Sequence, residues 1–384
     1  MASGNICDNG AHLPYGESGL GTYGAYQVPS CDKYGVLLES SDFLQLAKNV
    51  PFTDKTSAYN IGDYGTADGA ASMTLIRKLV MILKEYHGSD VQFQVIYEDQ
   101  EVNDFNSLFR RLSGLIPEPP SYLQDFQNVF ALASGTHFYK QCVPADSMHI
   151  IISLSAAHYL SGKPPVNKDH IYSFPNTDTG ARYMLEKQSS ADWEKFLTLR
   201  SRELKKGGLL VVSVTCNSTT TSGETKFSGE SFLSILNTVW LQFRDMGKIS
   251  HSEFVNTNMA SCDRSLTMLK APFDDPNSSV RKCNLRLVKA EVVTVPCKVY
   301  EAWRQKKEEE GVDDRTRFAK RLVLAHRCWT NSAFMTGLAA GRSNYEKELI
   351  VNELYAEAEE LIRNMKPDNF KEINLFSYVY IIKD

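Results

Sequence analysis

The sequence lacks several features that would point to particular classes of protein. No apolar run approaches the roughly 20 residues that a membrane-spanning helix needs. Residues 1–16 contain neither the basic segment nor the apolar segment that opens a secretory signal. The 42 lysines and arginines nearly balance the 46 aspartates and glutamates, which leaves a formal net charge of −4. We therefore expect no nucleic-acid partner and no membrane partner.

Cysteine and histidine are present but scattered. None of the eight cysteines forms a C-x-x-C pair, and the eight histidines include no H-E-x-x-H motif. The sequence therefore predicts no metal site and no redox motif. Reduced thiols in a cytoplasmic protein are the default expectation.

What the chain does contain is a glycine-rich turn between a predicted strand and a predicted helix. Residues 57–73 read SAYNIGDYGTADGAASM, in which an apolar segment reaches Asp63 and is followed by Gly65 and Gly69. Glycine lets the backbone adopt positive φ or approach a ligand closely, and a following helix N-terminus offers free N–H groups. The next predicted strand reaches Asp99, where a Rossmann-like unit places the carboxylate that binds a ribose.

This turn favours a cofactor that contains an adenosine but no pyrophosphate. It lacks the Lys-Ser/Thr ending of a Walker A loop and the strict G-x-G-x-x-G of a dinucleotide site. S-adenosylmethionine (SAM), with S-adenosylhomocysteine (SAH) as its product, is the obvious candidate. The turn alone leaves two alternatives open: an ordinary strand–turn–helix, or the cofactor site of an NAD-dependent dehydrogenase.

Strands and helices alternate along much of the chain, which predicts a parallel sheet with helices on both faces. The predicted strands are 57–63, 91–98, 128–134, 147–155, 209–215, 285–295 and the C-terminal end. The predicted helices are 69–86, 104–112, 190–208, 231–247, 313–340 and 345–365. The fold class is α/β, a Rossmann-like seven-stranded methyltransferase sheet with an α-helical cap. We expect an N-terminal lid at 1–50, a SAM-binding core at 51–216, and at 217–384 the cap with the closing strands.

Four blocks between about 57 and 215 resemble a known family. They are IGDYGTADGAASM at 61–73, YEDQEVNDFNSLFRRL at 97–112, SGTHFYKQCVPADSMHIIISLSAAHYLSGKPP at 134–165 and ADWEKFLTLRSRELKKGGLLVVSV at 191–214. They are similar to the blocks of the plant-type small-molecule carboxyl methyltransferases, the SABATH family, whose members include salicylate, benzoate, jasmonate and theobromine methyltransferases. The N-D-F-N run and the H-x-x-x-S spacing carry most of the specificity, and the cap matches only in pattern.

The resemblance implies transfer of a methyl group from SAM to the carboxylate of a small-molecule acid, and it also implies a homodimer. The residues that it implies for the cofactor are Asp63 and Gly65 at the methionine end, Asp99 at the ribose, and Gln100, His137 and Phe138 around the adenine. The residues that it implies for the substrate are Tyr23, Gln27, His158 and Tyr159. We expect His158 and Tyr159 to act beside the donated methyl, because they follow the fourth strand at the carboxyl end of the sheet.

The chain departs from the family pattern mainly on the substrate side. Tyr159 stands where the family has the tryptophan that helps to hold the substrate carboxylate, and His137 stands where it has a serine near the adenine. The family's segment with a substrate-binding glutamine is only loosely matched by TYGAYQ at 22–27. Two alternatives therefore stay open: an N-methyltransferase acting on a nitrogen heterocycle, and a non-catalytic sensor that binds SAM or a small acid.

The acceptor decides which chemistry His158 has to supply. A carboxylic acid has a pKa near 4, so it is already ionised at neutral pH and needs no general base. A phenol, with a pKa near 10, would need one, and His158 would be the candidate.

Overall fold

The structure is a computed structural model that describes residues 15–162, 168–172, 179–367 and 372–384. Its strands are β1 (Tyr59–Tyr64), β2 (Phe93–Asp99), β3 (Val129–Gly135), β4 (Met148–Leu154), β5 (Leu204–Thr215), β6 (Asn217–Thr219), β7 (Thr225–Phe227), β8 (Leu285–Val295) and β9 (Asn374–Lys383). Seven of them form one sheet in the order β3-β2-β1-β4-β5-β9-β8, and β6 and β7 form a separate hairpin. The strands β1 to β5 are parallel, whereas β9 runs antiparallel between β5 and β8.

Helices cover the sheet and continue beyond it. They are α1 (Thr22–Gln27), α2 (Lys33–Glu39), α3 (Ser41–Lys48), α4 (Met73–His87), α5 (Phe105–Leu112), α6 (Thr179–Glu203), α7 (Glu230–Asp245), α8 (His251–Asn256), α9 (Leu266–Asp274), α10 (Ser279–Lys282), α11 (Lys298–Glu310), α12 (Arg315–Gly337) and α13 (Asn344–Asn364). A 3₁₀ turn spans Tyr122–Gln124. None of the helices among the described residues is both long enough and apolar enough to cross a membrane.

The sheet is buried on both faces, as the apolar run of β4 shows. All seven residues of β4 are buried. Successive side chains point to opposite faces, so Ile150, Ile152 and Leu154 pack in one cluster with α4, whereas Ile151 packs in another with Trp193 of α6. Such two-sided burial explains why a parallel strand reads as a continuous hydrophobic run. The predicted α/β sheet with helices on both faces is confirmed.

The C-terminal helices have a hydrophobic core of their own. Helices α7, α11, α12 and α13 contribute its large side chains, among them Trp240, Leu322, Phe334 and Val351. The ring centroids of Trp240 and Phe334 are 5.0 Å apart in an edge-to-face arrangement. These helices stabilise one another by their own apolar contacts, as a predicted cap would. The three-part division of the chain itself stays a prediction.

The predicted helix at 190–208 differs from the structure at both ends. Helix α6 begins at Thr179 and ends at Glu203, and residues from Leu204 onward belong to β5. Leu204 is fully buried and pairs with Met148 across the sheet, with a register shift after that pair. Because Leu204 fills the core from a strand position, strand pairing starts before the two glycines that the sequence suggested as the helix end. A hairpin (β6 and β7) also forms inside the predicted loop at 217–230.

Candidate active site

A cleft lies where the order of the parallel strands reverses, between β1 and β4. Open α/β sheets bind ligands at such a switch point, outside the carboxyl ends of the strands. The turn after β1 lines the cleft through Gly65, Thr66 and Ala67, and the end of β4 lines it through Leu154 and Ser155. The topology therefore places the predicted glycine-rich turn where this fold class holds a cofactor.

Glycine is required in the turn because the backbone there has positive φ and packs tightly. Gly65 has φ of +77° and Gly69 has φ of +72°. A Cβ on Gly65 would lie 2.2 Å from the Cβ of Ala156, and one on Gly69 would lie 2.5 Å from Cδ1 of Leu108. Any other residue would push the turn off its neighbours, so the two glycines set how closely the turn approaches the loop after β4.

Asp63 is turned into the protein at the end of β1. It is 2% exposed, and its Oδ2 accepts a 2.7 Å hydrogen bond from the hydroxyl of Thr66. Burial raises the pKa of its carboxyl above the usual range. Asp63 thus stabilises the turn through its hydrogen bond with Thr66. Its predicted contact with the methionine end of SAM stays a prediction.

Asp99 lies at the carboxyl end of β2 and is fixed by two backbone donors. Its Oδ2 accepts from the N–H of Ala67 at 2.7 Å, and its Oδ1 accepts from the N–H of Gln100 at 2.8 Å. Burial raises the pKa of the carboxyl to about 6. Each oxygen keeps a second lone pair, so the arrangement leaves Asp99 able to accept a pair of hydroxyl groups. Gln100 follows it and is half-buried.

The two predicted adenine-side aromatics differ in accessibility. His137 is half-buried, and its Nδ1 accepts a 3.3 Å hydrogen bond from the N–H of Tyr139. Burial lowers the pKa of the imidazole. Phe138 is only 6% exposed and packs edge-to-face on Phe196, with ring centroids 5.8 Å apart. Most of Phe138 is therefore committed to the core, and its role as a stacking face for adenine stays a prediction.

A larger cavity adjoins the cleft and contains all four residues predicted for the substrate, namely Tyr23, Gln27, His158 and Tyr159. Two of them, Tyr23 and Gln27, also line the smaller cleft beside the turn, as do Lys33 and Ser155. The cleft and the cavity thus share one boundary. The structure brings together residues from either side of the turn that are far apart in the chain.

His158 and Tyr159 are held by the loop that follows β4. Their rings are in contact, with centroids 4.4 Å apart. The carbonyl of His158 accepts from the N–H of Cys262 at 3.0 Å, and the carbonyl of Tyr159 accepts from the hydroxyl of Tyr139 at 2.7 Å. Burial raises the pKa of Tyr159 above its usual range. A protonated phenol and an imidazole therefore face the cavity from a loop with little freedom to move.

Tyr23 and Gln27 reach the cavity on α1, which is bonded to both the turn and the cap. The N–H of Gly24 donates to Oδ2 of Asp68 at 2.9 Å, and Nε2 of Gln27 donates to the carbonyl of Ala325 at 2.9 Å. Asp68 also forms a buried 2.9 Å ion pair with Arg111. These contacts place the N-terminal segment across the cleft, and its function as a lid stays a prediction.

A model of the SAM-dependent carboxyl methyltransferase family matches residues 38–371. The chain belongs to this family. A farnesoic acid carboxyl-O-methyltransferase of Arabidopsis thaliana is 30% identical over 183 residues, which cover 44% of this chain and 49% of the relative. A benzoic acid/salicylic acid carboxyl methyltransferase of Petunia hybrida is 29% identical over 162 residues, covering 40% and 45%. The matched part of this chain thus spans about half the length of these curated relatives.

A solved structure, of loganic acid methyltransferase with SAH, has the same fold as this chain. Its TM-score is 0.71 at 19% identity, with 97% of this chain and 99% of the other chain covered. The agreement extends through the sheet and the helical cap. The family match confirms the predicted family and its SAM cofactor. The site geometry fits that cofactor, because Ala67, which lines the cleft, donates its N–H to the carboxylate of Asp99.

The structure also places in the cavity several polar residues of this family member that sequence reasoning missed. They are Lys33, Asp263, His326 and Glu372. Oδ2 of Asp263 accepts from the N–H of Ser228 at 3.2 Å, and burial raises its pKa to about 7. His326 and Glu372 pair through Nε2 and Oε1 at 3.3 Å. None of the four lies in a recognisable motif, so no pattern along the chain indicated them.

Cysteine and the other residue types that ligate metals are dispersed among the described residues. Among the described residues, no three His, Cys, Asp or Glu side chains are grouped so that they could hold a metal ion. The cysteines of those residues are free, including Cys31 and Cys297 at the cavity wall. Burial raises the thiol pKa of Cys31 to about 11 and that of Cys297 to about 12. At neutral pH both thiols are protonated and therefore poor nucleophiles.

Proposed function

We propose that the protein transfers a methyl group from SAM to the carboxylate of a small-molecule acid and so forms a methyl ester. The observation that carries the proposal is the shared boundary between the switch-point cleft and the larger cavity. Tyr23, Gln27 and Ser155 line both. A cofactor in the cleft and an acid in the cavity would therefore meet at this boundary.

The cofactor side of the proposal assigns one task to each predicted residue. Asp99 accepts hydrogen bonds from both ribose hydroxyls, since the N–H groups of Ala67 and Gln100 fix the orientation of its two oxygens. Asp63 and Gly65 shape the turn against the methionine end. Gln100, His137 and Phe138 bound the adenine. When bound, SAM supplies an electrophilic methyl group on a positively charged sulfur.

On the acceptor side, the protein's contribution is alignment and exclusion of water. A carboxylate is ionised at neutral pH and needs no proton removed. Tyr159, whose pKa is raised by burial, stays protonated and donates a hydrogen bond to the carboxylate. His158 holds the acid from the same loop, and Tyr23 and Gln27 close the opposite wall. Holding two reacting groups in line in this way contributes about 7–11 kcal/mol in well-oriented reactions.

A labelled-methyl assay tests this proposal and separates it from N-methylation. The protein is incubated with [methyl-¹⁴C]SAM and a panel containing farnesoic acid, benzoic acid, salicylic acid, loganic acid, phenols and nitrogen heterocycles. Methyl esters release labelled methanol in mild alkali, whereas N-methyl products do not. We expect label in at least one acid, and release of nearly all of it by alkali.

The same assay identifies the alternatives. Alkali-stable label in a heterocycle would make the protein an N-methyltransferase. If SAH binds in calorimetry but no member of the panel is labelled, the sensor interpretation is favoured and the proposal fails. Buffered NAD in the same calorimeter is the control for the dehydrogenase alternative, and no heat of binding is expected.

We also propose that the protein works in the cytoplasm and as a homodimer. Free thiols throughout the described residues support a reducing compartment. The homodimer is supported by the family resemblance.

A further inference from the structure

Lys33 stands at the boundary between the cofactor cleft and the acceptor cavity. It is the first residue of α2 and lines both spaces. Among the described residues that line the cavity, no other is a lysine or an arginine. The fixed positive charge of this cavity therefore comes from one side chain, placed beside the point where methyl transfer would occur.

The described part of the chain shows neither an ion pair nor a hydrogen bond of this ammonium. No described carboxylate lies within the 4.0 Å of an ion pair, and no hydrogen bond of Nζ is formed there. Burial lowers the pKa of Lys33, and the interactions with Cys31 and with Asp63 only partly oppose that effect. A desolvated charge without a partner is unfavourable, so the site is arranged to receive an anion.

The other acids around Lys33 already have partners. Asp32 caps α2 by accepting from the N–H of Gly35 at 2.8 Å, and it also pairs with Lys298. Across the cavity, Glu372 is bonded to His326, and Asp263 accepts from a backbone N–H. The acid whose charge acts on Lys33 is Asp63, but no ion pair joins the two among the described residues.

The backbone of Lys33 is fixed, so its side chain starts from a defined position. Its carbonyl accepts a 2.6 Å hydrogen bond from the hydroxyl of Tyr378, a fully buried residue of β9. The cap at Asp32 holds the first turn of α2 from the other side. A binding group supported in this way loses little conformational freedom when a ligand arrives.

We propose that Lys33 binds the carboxylate of the acceptor acid and so selects ionised acids over their neutral derivatives. The proposal rests on the function proposed above and names a determinant of specificity for it. The ammonium of Lys33 holds the acceptor carboxylate, which is the task of the tryptophan and the glutamine in the SABATH family. Lys33 lies outside the four blocks that resemble that family.

The charge of Lys33 also accounts for release of the product. In the transfer, a carboxylate oxygen forms the new C–O bond to the methyl carbon, and the electron pair of the broken C–S bond stays on sulfur. The acid becomes a neutral ester, so Lys33 loses its counter-ion. We therefore expect the acid to bind at least about 10-fold more tightly than its ester, because hydrogen bonds to charged groups are stronger than those to neutral groups.

Chemical modification of the wild-type protein tests where the anion comes from. Labelled acetic anhydride acetylates free amines, and the rate at Lys33 is followed by peptide mass spectrometry with Lys298 as the internal reference. The arms are the apoprotein, SAH alone, SAH with the pooled acids of the panel, and SAH with the pooled methyl esters. We expect at least about 10-fold slower acetylation in the arm that contains the acids only.

The other outcomes overturn the proposal. Equal protection by SAH alone would assign Lys33 to the carboxylate of the cofactor. Equal protection by esters and acids would show steric cover without an ion pair, and no protection in any arm would show that Lys33 binds neither anion. Protection by acids without any labelled ester in the transfer assay would retain the Lys33 site while the proposed enzymatic function fails.

Substitution gives a second measurement. In Lys33→Met we expect the KM of an acid that is turned over to rise at least about 10-fold, while the SAH dissociation constant changes less than about threefold. Lys33→Arg should recover part of the loss, because it keeps the charge. Lys298→Met, which removes an exposed neighbouring lysine, should leave both values unchanged. An unchanged KM in a folded, SAH-binding Lys33→Met protein would contradict the proposal.

Discussion

The cofactor cleft and the acceptor cavity share a boundary but are built in different ways. The sheet side of the cleft is made by the turn after β1 and by the end of β4, and Ala67 of that turn donates its N–H to Asp99 at the end of β2; residues of the N-terminal segment form the other side. The cavity draws on α1, Lys33, the loop after β4, α12 and Glu372, which are spread over most of the chain.

This difference explains why the cofactor half of the site could be predicted from the sequence and the acceptor half could not. Parallel strands in register bring their carboxyl ends to the same edge of the sheet, so Asp63 and Asp99 lie close whatever else the fold does. The acceptor cavity has no such rule, since its walls depend on how a separately packed helical cap meets an N-terminal segment. The cofactor half is therefore constrained by topology, and the acceptor half is free to vary with substrate.

The largest effect that we predict concerns the buried ion pair beneath the cofactor half. Arg200 and Glu203 are both fully buried; Arg200 donates to the carbonyls of Phe138 and Lys140, and Glu203 accepts from the N–H of Cys142. Glu203→Ala leaves a buried guanidinium without its counter-ion, which costs about 3–5 kcal/mol. We expect that loss in the free energy of unfolding from urea denaturation.

A surface ion pair provides the control for this comparison. Lys289 pairs with Asp42 at 2.9 Å, and both side chains are more than a third exposed. Lys289→Ala should lower the free energy of unfolding by no more than about 1 kcal/mol. Equal losses of unfolding free energy in the two variants would show that the buried pair of Arg200 and Glu203 stabilises the protein no more than the surface pair does.

The second prediction addresses the ribose carboxylate. Asp99→Ala removes the acceptor of two charge-assisted hydrogen bonds, each worth about 1.5–3 kcal/mol. SAH affinity in calorimetry should fall at least about 100-fold. His158→Ala is the matched control from the other half of the site and should retain SAH affinity. Unchanged binding to Asp99→Ala would refute the ribose assignment.

The raised pKa of Asp99 also predicts how SAH affinity depends on pH. Burial raises its folded pKa from 3.8 to about 6, so the folded protein binds a proton that the unfolded chain has released between those values. The contribution of Asp99 to stability therefore falls as pH rises from about 4 to 6. Hydroxyl donors favour the ionised carboxylate, so SAH affinity should rise over the same range and level off above pH 7. Asp99→Asn should remove this rise.

The third and smallest predicted effect compares His158, which follows β4, with His149, which lies near the start of that strand. His158→Ala should lower kcat/KM for the acid about 10-fold, because one hydrogen-bonding group is lost from the acceptor side. A variant that loses SAH binding to the same extent would move His158 out of the acceptor half.

His149 is the control at the other end of the strand. Its Nδ1 accepts from the N–H of Asn60 at 2.9 Å, and its ring stacks on Tyr59. His149→Ala should lower the free energy of unfolding by about 1–3 kcal/mol by leaving a buried N–H unpaired, with kcat/KM largely kept. Burial lowers the pKa of His149 to about 4, so the stability that its neutral ring provides is lost as pH falls from 6.5 toward 4.

The departures from the family pattern show where sequence reasoning stopped. Asp68, a residue of the glycine-rich turn, accepts from the N–H of Gly24 and pairs with Arg111. Its partners lie on α1 and α5, so no local pattern indicated this role. The early start of β5 at Leu204 was missed for a similar reason, since only pairing with Met148 fixes that residue as strand.

The sequence by itself determined the parallel core, the glycine turn and the position of Asp99, because these follow from strand periodicity and from the direction in which parallel strands end. Only the tertiary structure decided that Lys33 meets Tyr159, Asp263 and Glu372 around one cavity. The physical reason is that those residues are brought together by packing of the cap, α1 and β9, and close packing between distant segments leaves no periodic signal in the chain.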